Sequence, residues 1–174
     1  MKRTLVALLL IAGFGMAQRS KPSPPAEASI SIEGKTISIK YSAPSLRGRT
    51  AFGPNGLINH DPHFPVWRAG ANEATALHTD ATLQIGSLTV PPGDYTLFVN
   101  TGSNPWQLIV SKDKGEWGLS YDESKDLGRT PMTMSKPAEK VETYKMTLSS
   151  PGGNKGKLNL AWDETDASVN FTVK

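Results

Sequence analysis

Apolar and polar side chains alternate one for one along most of this chain, in short runs that stop at glycine and proline. No stretch of about 12 residues carries the i, i+3, i+4 apolar spacing and the caps of a helix. A period of two sends successive side chains to opposite faces of an extended strand, so such a chain makes sheets with an apolar face. Ile30 and Ile32 alternate with Ser29, Ser31 and Glu33, Gly34-Lys35 makes a turn, and Ile37, Ile39 and Tyr41 alternate with Ser38 and Lys40. That is a hairpin. Further strand-like runs lie at 75–78, 82–85, 95–99, 106–111, 132–136, 141–148, 157–162 and 168–173, separated by clusters such as Pro91-Pro92-Gly93 and Pro151-Gly152-Gly153. The run 95–99 is apolar on both faces, as a central strand is. The expectation is an antiparallel β-sandwich of roughly eight to ten strands. The 16 glycines and 13 prolines suit a loop-rich β domain, and with no internal repeat or second domain in view, residues 29–174 read as one domain.

The first residues read differently. Lys2 and Arg3 precede an unbroken apolar run at 5–12, and Gly15 and Ala17 put small residues at −3 and −1 of a cut after Ala17. That is the order of a cleaved secretory signal, and the run is shorter than the roughly 20 apolar residues a membrane span needs. Residues 1–17 are therefore expected to be a signal peptide and 18–28, with Pro22, Pro24 and Pro25, a disordered lead-in. The mature chain is expected in the periplasm or outside the cell, soluble and not inserted in the membrane, since no later run is apolar enough to span. The chain has no cysteine, which removes disulfides, a lipid anchor at the cut, thiol nucleophiles and thiolate metal sites together. Loss of Lys2 and Arg3 with the leader brings the 19 basic and 16 acidic side chains close to balance, so no nucleic-acid partner is expected.

Chemistry-bearing residues concentrate in Tyr41-Ser42-Ala43-Pro44-Ser45-Leu46-Arg47-Gly48-Arg49, then Phe52-Gly53, then Val66-Trp67-Arg68-Ala69-Gly70-Ala71-Asn72-Glu73-Ala74-Thr75. Ala69, Gly70 and Ala71 are nearly without side chains, so another backbone or a ligand can come close. Arg47, Arg49 and Arg68 could offer planar donors to an anion. Asn72 donates and accepts, Glu73 could pair an arginine or act as a base, and Trp67 offers a flat contact. Arg68 and Glu73 would lie on opposite faces of a strand, but a turn at Gly70 and Asn72, both tolerant of positive φ, would bring them together. The same residues also fit a structural lock, an Arg–Glu pair beside a core tryptophan. Between the two segments, the loop 53–65 is long for a compact domain, and such loops are either functional or plain excursions.

These segments, with Pro91-Pro92-Gly93-Asp94-Tyr95-Thr96-Leu97-Phe98, resemble a family of exported bacterial proteins known only as domain of unknown function 2911 (DUF2911). The resemblance is good over about 28–117 and looser beyond. It implies an exported all-β domain with no assigned activity. It also implies that residues 59–64 are added sequence, because the family runs more briefly from Phe-Gly to Trp-Arg.

All three histidines, His60, His63 and His78, fall in or near that loop. Imidazole and carboxylate suit zinc, copper or iron, but Pro62 bars a helical ligand pair and no known zinc spacing is present, so no metal and no cofactor is expected. There is no Gly-x-Ser-x-Gly elbow, His-Glu-x-x-His, phosphate loop or dinucleotide fingerprint. Ser111-x-x-Lys114 lacks the helix and companion motifs that would give it meaning. The reading is a non-catalytic binding module for a small polar, anionic or carbohydrate ligand at Arg47, Arg49, Trp67, Arg68, Asn72 and Glu73. The alternatives are a periplasmic hydrolase using Glu73 or a histidine-bound metal, and a structural or envelope-interaction domain.

Overall fold

The computed structural model describes residues 23–114 and 120–174. The expected signal peptide and residues 18–22 lie outside the described residues. Thirteen strands form among the described residues: β1 (Pro25–Ile32), β2 (Lys35–Ser42), β3 (Val66–Trp67), β4 (Thr75–Thr79), β5 (Leu83–Ile85), β6 (Leu88–Val90), β7 (Gly93–Asn100), β8 (Gln107–Ser111), β9 (Asp126–Pro131), β10 (Thr133–Ser135), β11 (Val141–Gly152), β12 (Lys155–Asp163) and β13 (Thr165–Val173). There is no α-helix among them, only 3-10 turns at Leu57–His60 and Glu123–Lys125.

The strands make two antiparallel sheets packed as a sandwich. One runs β1-β2-β4-β7-β8-β9, with β3 continuing the edge of β7 beyond β4. The other runs β11-β12-β13-β5-β6, with β10 on the same edge of β13 as β5. Alternation decides which side chains meet between the sheets. Ile37, Ile39, Leu77, Leu97, Val99, Leu108 and Val110 from the first join Leu83, Ile85, Leu158, Leu160, Val169 and Phe171 from the second in one buried cluster. Burial of that apolar surface is the main stabilising term, about 25 cal/mol per Å².

β7 is covered on both sides, as its sequence implies. Its outward Thr96 and Phe98 are buried because the chain after β8 folds over them. Thr96 Oγ1 donates to the Asp113 carbonyl at 2.7 Å, and the Tyr121 ring lies 4.9 Å from that of Phe98. Past β2 the chain leaves its own sheet and bonds to the edge of the other. Leu46 N donates to Glu142 O at 2.9 Å and Tyr144 N to Pro44 O at 2.8 Å. These bonds pair an edge that would otherwise be open.

All ten strand-like runs read from the sequence are strands. The three additional ones are β3, β6 and β9. The disordered lead-in is overturned from Ser23 onward: β1 begins at Pro25, and Pro24 O accepts from Ala43 N at 2.8 Å. Pro25 is tolerated because it opens an edge strand, where a missing N–H costs little.

Candidate functional site

The segment between β3 and β4 turns sharply over the end of β2. Ala69 and Asn72 both have positive φ, 52° and 58°. For alanine this costs about 1–2 kcal/mol, and the surroundings hold it there: Ala69 is fully buried and its carbonyl accepts from Thr75 Oγ1 at 2.9 Å. Gly70 does not supply the positive φ that the sequence suggests. Its role is space, because an added Cβ would lie 3.0 Å from the Ser42 carbonyl oxygen and 3.1 Å from Thr75 Oγ1. The close neighbour of the Ala-Gly-Ala run is thus the backbone of β2, and Ala71 N donates to Ser42 O at 3.2 Å. Asn72 uses its side-chain amide to hold the segment before β1, donating from Nδ2 to Ser23 O at 3.0 Å.

Arg68 lies on Asp61, with Nε 2.9 Å from Oδ2, and its Nη1 donates to the Asn72 carbonyl at 3.3 Å. The Asp61 carboxylate also accepts from His63 N at 3.1 Å, the two-residue reach of an aspartate turn. Both side chains of the pair are largely buried, 13% and 5% exposed. The Arg68–Glu73 pairing expected from the sequence does not form. Glu73 instead accepts from Ser42 Oγ at 3.4 Å.

Arg49 is fixed by its own turn. Its Nε donates to Leu46 O at 2.9 Å and its Nη2 to Ser45 O at 3.4 Å. The loop that follows is anchored at Ala51, whose N–H donates to Asp163 Oδ2 on β12 at 2.7 Å, and by Asn59 Nδ2, which donates to Pro54 O at 2.8 Å. Ile58 is buried beneath it. The loop is therefore an ordered wall.

A pocket of about 250 Å³ opens between this wall, the Arg49 turn and the turn at Asn72. Its polar lining is Arg49, His60, Asp61, Arg68 and Asn72, and its apolar lining includes Pro44, Leu57, Ile58, Trp67 and Trp162. Four of the six residues expected at a ligand site thus share one concavity. Trp67 is not the flat contact expected. It is 3% exposed, stacks on Trp162 at 5.8 Å between ring centres, and donates from Nε1 to Gly70 O at 3.0 Å. It is a core residue that reaches the pocket floor.

Arg47 and Glu73 are not among the residues that line the pocket. Arg47 has φ 50°, and its backbone N–H donates to Glu142 Oε1 at 2.7 Å. The histidines part company: His60 borders the pocket, the His63 ring lies 5.9 Å from that of Tyr121, and His78 sits on β4 between two carboxylates. Among the described residues no group of three or more histidine, aspartate or glutamate side chains is placed to hold a metal ion. The residue that the sequence reading missed is Asp61. Its only signal was the Asp-Pro step, which marks a turn and not a partner seven residues on.

A larger groove of about 520 Å³ crosses the outer face of β2 and β4, lined by Lys40, Ala76, His78, Asp94 and Lys114 among others. Among the described residues it has no aromatic wall, and none of the six residues expected at the ligand site lines it. At its end His78 Nδ1 lies 2.7 Å from Asp94 Oδ1 and Nε2 lies 3.1 Å from Asp80 Oδ1. The hydrogen bond with Asp94, then that with Asp80, raises the His78 pKa above its ordinary 6.5.

The family model described as a protein of unknown function, DUF2911, matches residues 23–171. The chain belongs to the DUF2911 family. The match runs from the first described residue to within three of the C-terminus, so the DUF2911 domain is the whole sandwich, pocket included. No curated protein and no solved structure matches the chain. Among the described residues of this DUF2911 protein no helix is long and apolar enough to cross a membrane.

Proposed function

We propose that the chain is an exported binding module, periplasmic or secreted, whose ligand is small and polar or anionic and sits in the pocket between the Arg49 turn and the loop 53–65. One observation carries this reading: among the described residues, two guanidinium groups line one concavity that holds a single carboxylate. Arg68 is matched by Asp61, whereas Arg49 is held only by backbone carbonyls and meets no carboxylate among the described residues. A fixed arginine with its charge unanswered, beside apolar walls, is the usual way a protein presents a site for an anion. Glu73, the candidate base, lines no part of the pocket, which favours binding over hydrolysis.

A bracing role has support of its own, since Arg68, Asp61 and Trp67 all hold the fold. Arg49 separates the two readings. Thermal-shift and calorimetric titration of the purified protein with small carboxylates, oxyanions and sugars, repeated on Arg49→Gln, provides the test. Saturable binding that weakens about tenfold or more in the variant is expected. Binding of the same strength in both proteins, or no binding to any member of the panel, leaves only the bracing role.

A further inference from the structure

We infer that the pocket selects a monocarboxylate with an apolar body about the size of one ring, over sugars and over multiply charged oxyanions. The inference rests on the pocket being the ligand site, and three features of the pocket argue for it.

The first is charge. Arg49 brings a positive charge that no carboxylate among the described residues answers, while Asp61 cancels Arg68. One negative charge restores balance. A second on the ligand would approach the Asp61 carboxylate, which lines the same space, and like charges are repelled most strongly where water is excluded. Phosphate, sulfate and dicarboxylates are disfavoured on that ground.

The second is donor placement. Nη1 of Arg49 and Nη2 of Arg68 meet no acceptor among the described residues. A carboxylate needs only such N–H donors. A sugar needs acceptors for its hydroxyls as well, and each Asp61 oxygen already accepts one hydrogen bond, Oδ2 from Arg68 and Oδ1 from His63 N.

The third is wall chemistry and size. Pro44, Leu57, Ile58, Trp67 and Trp162 make up most of the apolar part of the lining, beside the polar His60 and Asn72. Hydroxyls pressed against such a wall lose water without replacement. The volume of about 250 Å³ falls below the roughly 300–1,000 Å³ of pockets for drug-sized molecules.

Calorimetric titration of the full protein with phenylacetate, phenylmalonate, glucuronate, glucose and inorganic phosphate tests this, with Arg49→Gln and Leu57→Ser as variants. Leu57 is partly exposed at the pocket wall, so its replacement probes the apolar wall with little risk to folding. Phenylacetate is expected to bind tightest, and to weaken about tenfold or more in each variant. If glucuronate, phenylmalonate or phosphate binds tighter than phenylacetate and weakens in Arg49→Gln, the pocket is a site but the monocarboxylate inference is wrong. If phenylacetate binding is unchanged in Arg49→Gln, or no probe binds, the pocket reading itself fails and the inference with it.

Discussion

Asp61 connects the loop 53–65 to the turn before β4. Its carboxylate accepts from the guanidinium of Arg68 and from the backbone of His63, and its side chain is 5% exposed. Asp61→Asn keeps the shape and leaves a buried guanidinium without its counter-charge. Removing one partner of a buried pair costs about 3–5 kcal/mol, and with Arg68 still 13% exposed the lower end is expected, about 3 kcal/mol. Urea denaturation measures it, with Arg49→Gln as the comparison, because that exposed side chain should move the midpoint by about 1 kcal/mol or less. An Asp61→Asn midpoint as close to wild type as that of Arg49→Gln would show that the pair adds nothing to stability. The residue types at this site were readable in the sequence, and arginine with carboxylate was the right pairing to look for. The partner was not readable, because Glu73 and Asp61 are equally plausible until the chain direction between β3 and β4 is known.

At the scale of elements, the Ala69-Gly70-Ala71 run shows how a sequence cue acquires its meaning. Three small residues in a row signal a close approach, and the approaching group is the Ser42 carbonyl at the end of β2. Gly70→Ala places a Cβ 3.0 Å from that oxygen and 3.1 Å from Thr75 Oγ1, which is itself committed to Ala69 O. Neither is the loose end of a flexible side chain, so the backbone must shift, and overpacking of this kind costs about 1–3 kcal/mol. Thermal and urea unfolding of Gly70→Ala should show that loss, and a variant as stable as wild type would mean the turn has slack. Ten strands were legible because a period of two needs only four or five residues to show itself, and the runs 82–85 and 132–136 extend past the three-residue strands β5 and β10 that form within them. β3 and β6, at two and three residues, are too short to display any period. β9 has Gly128 and Pro131 within its six residues, which weakens the signal, and it forms at the sheet edge by pairing with β8.

Across the whole molecule, the His78 cluster ties together parts of the chain far apart in sequence. His78 lies between Asp94 on β7 and Asp80 after β4, and Asp80 also accepts from the backbone N–H of Thr36 on β2. The hydrogen bond with Asp94, then that with Asp80, raises the His78 pKa above 6.5. The Thr36 backbone, then His78, lowers that of Asp80 below 3.8. A raised folded-state pKa means that the His78 contribution is complete below about pH 6.5 and fades as pH rises through the raised value. The Asp80 contribution is present above about pH 3.8 and is lost as pH falls through the lowered value. The melting temperature of wild type should therefore exceed that of His78→Gln most at about pH 5–6, with the gap narrowing toward about pH 9. A gap that stays constant over that range would mean the imidazole acts by packing alone. The groups are exposed, so the effect should also shrink in salt.

The alternation of apolar and polar residues determined the class of fold, the antiparallel sandwich and which side chains enter its core, because strand periodicity is local and each run declares its own buried face. The sequence also named four of the residues that line the pocket, Arg49, Trp67, Arg68 and Asn72. Tertiary structure alone decided that Arg68 meets Asp61, that Trp67 stacks on Trp162, and that Arg49 meets no carboxylate among the described residues. It also placed Ser23, Pro24 and β1 against Asn72 and the edge of β2. Those outcomes depend on long-range closure: which turn packs over which strand end sets the distance between groups that the sequence leaves tens of residues apart, and a local pattern carries no information about that distance.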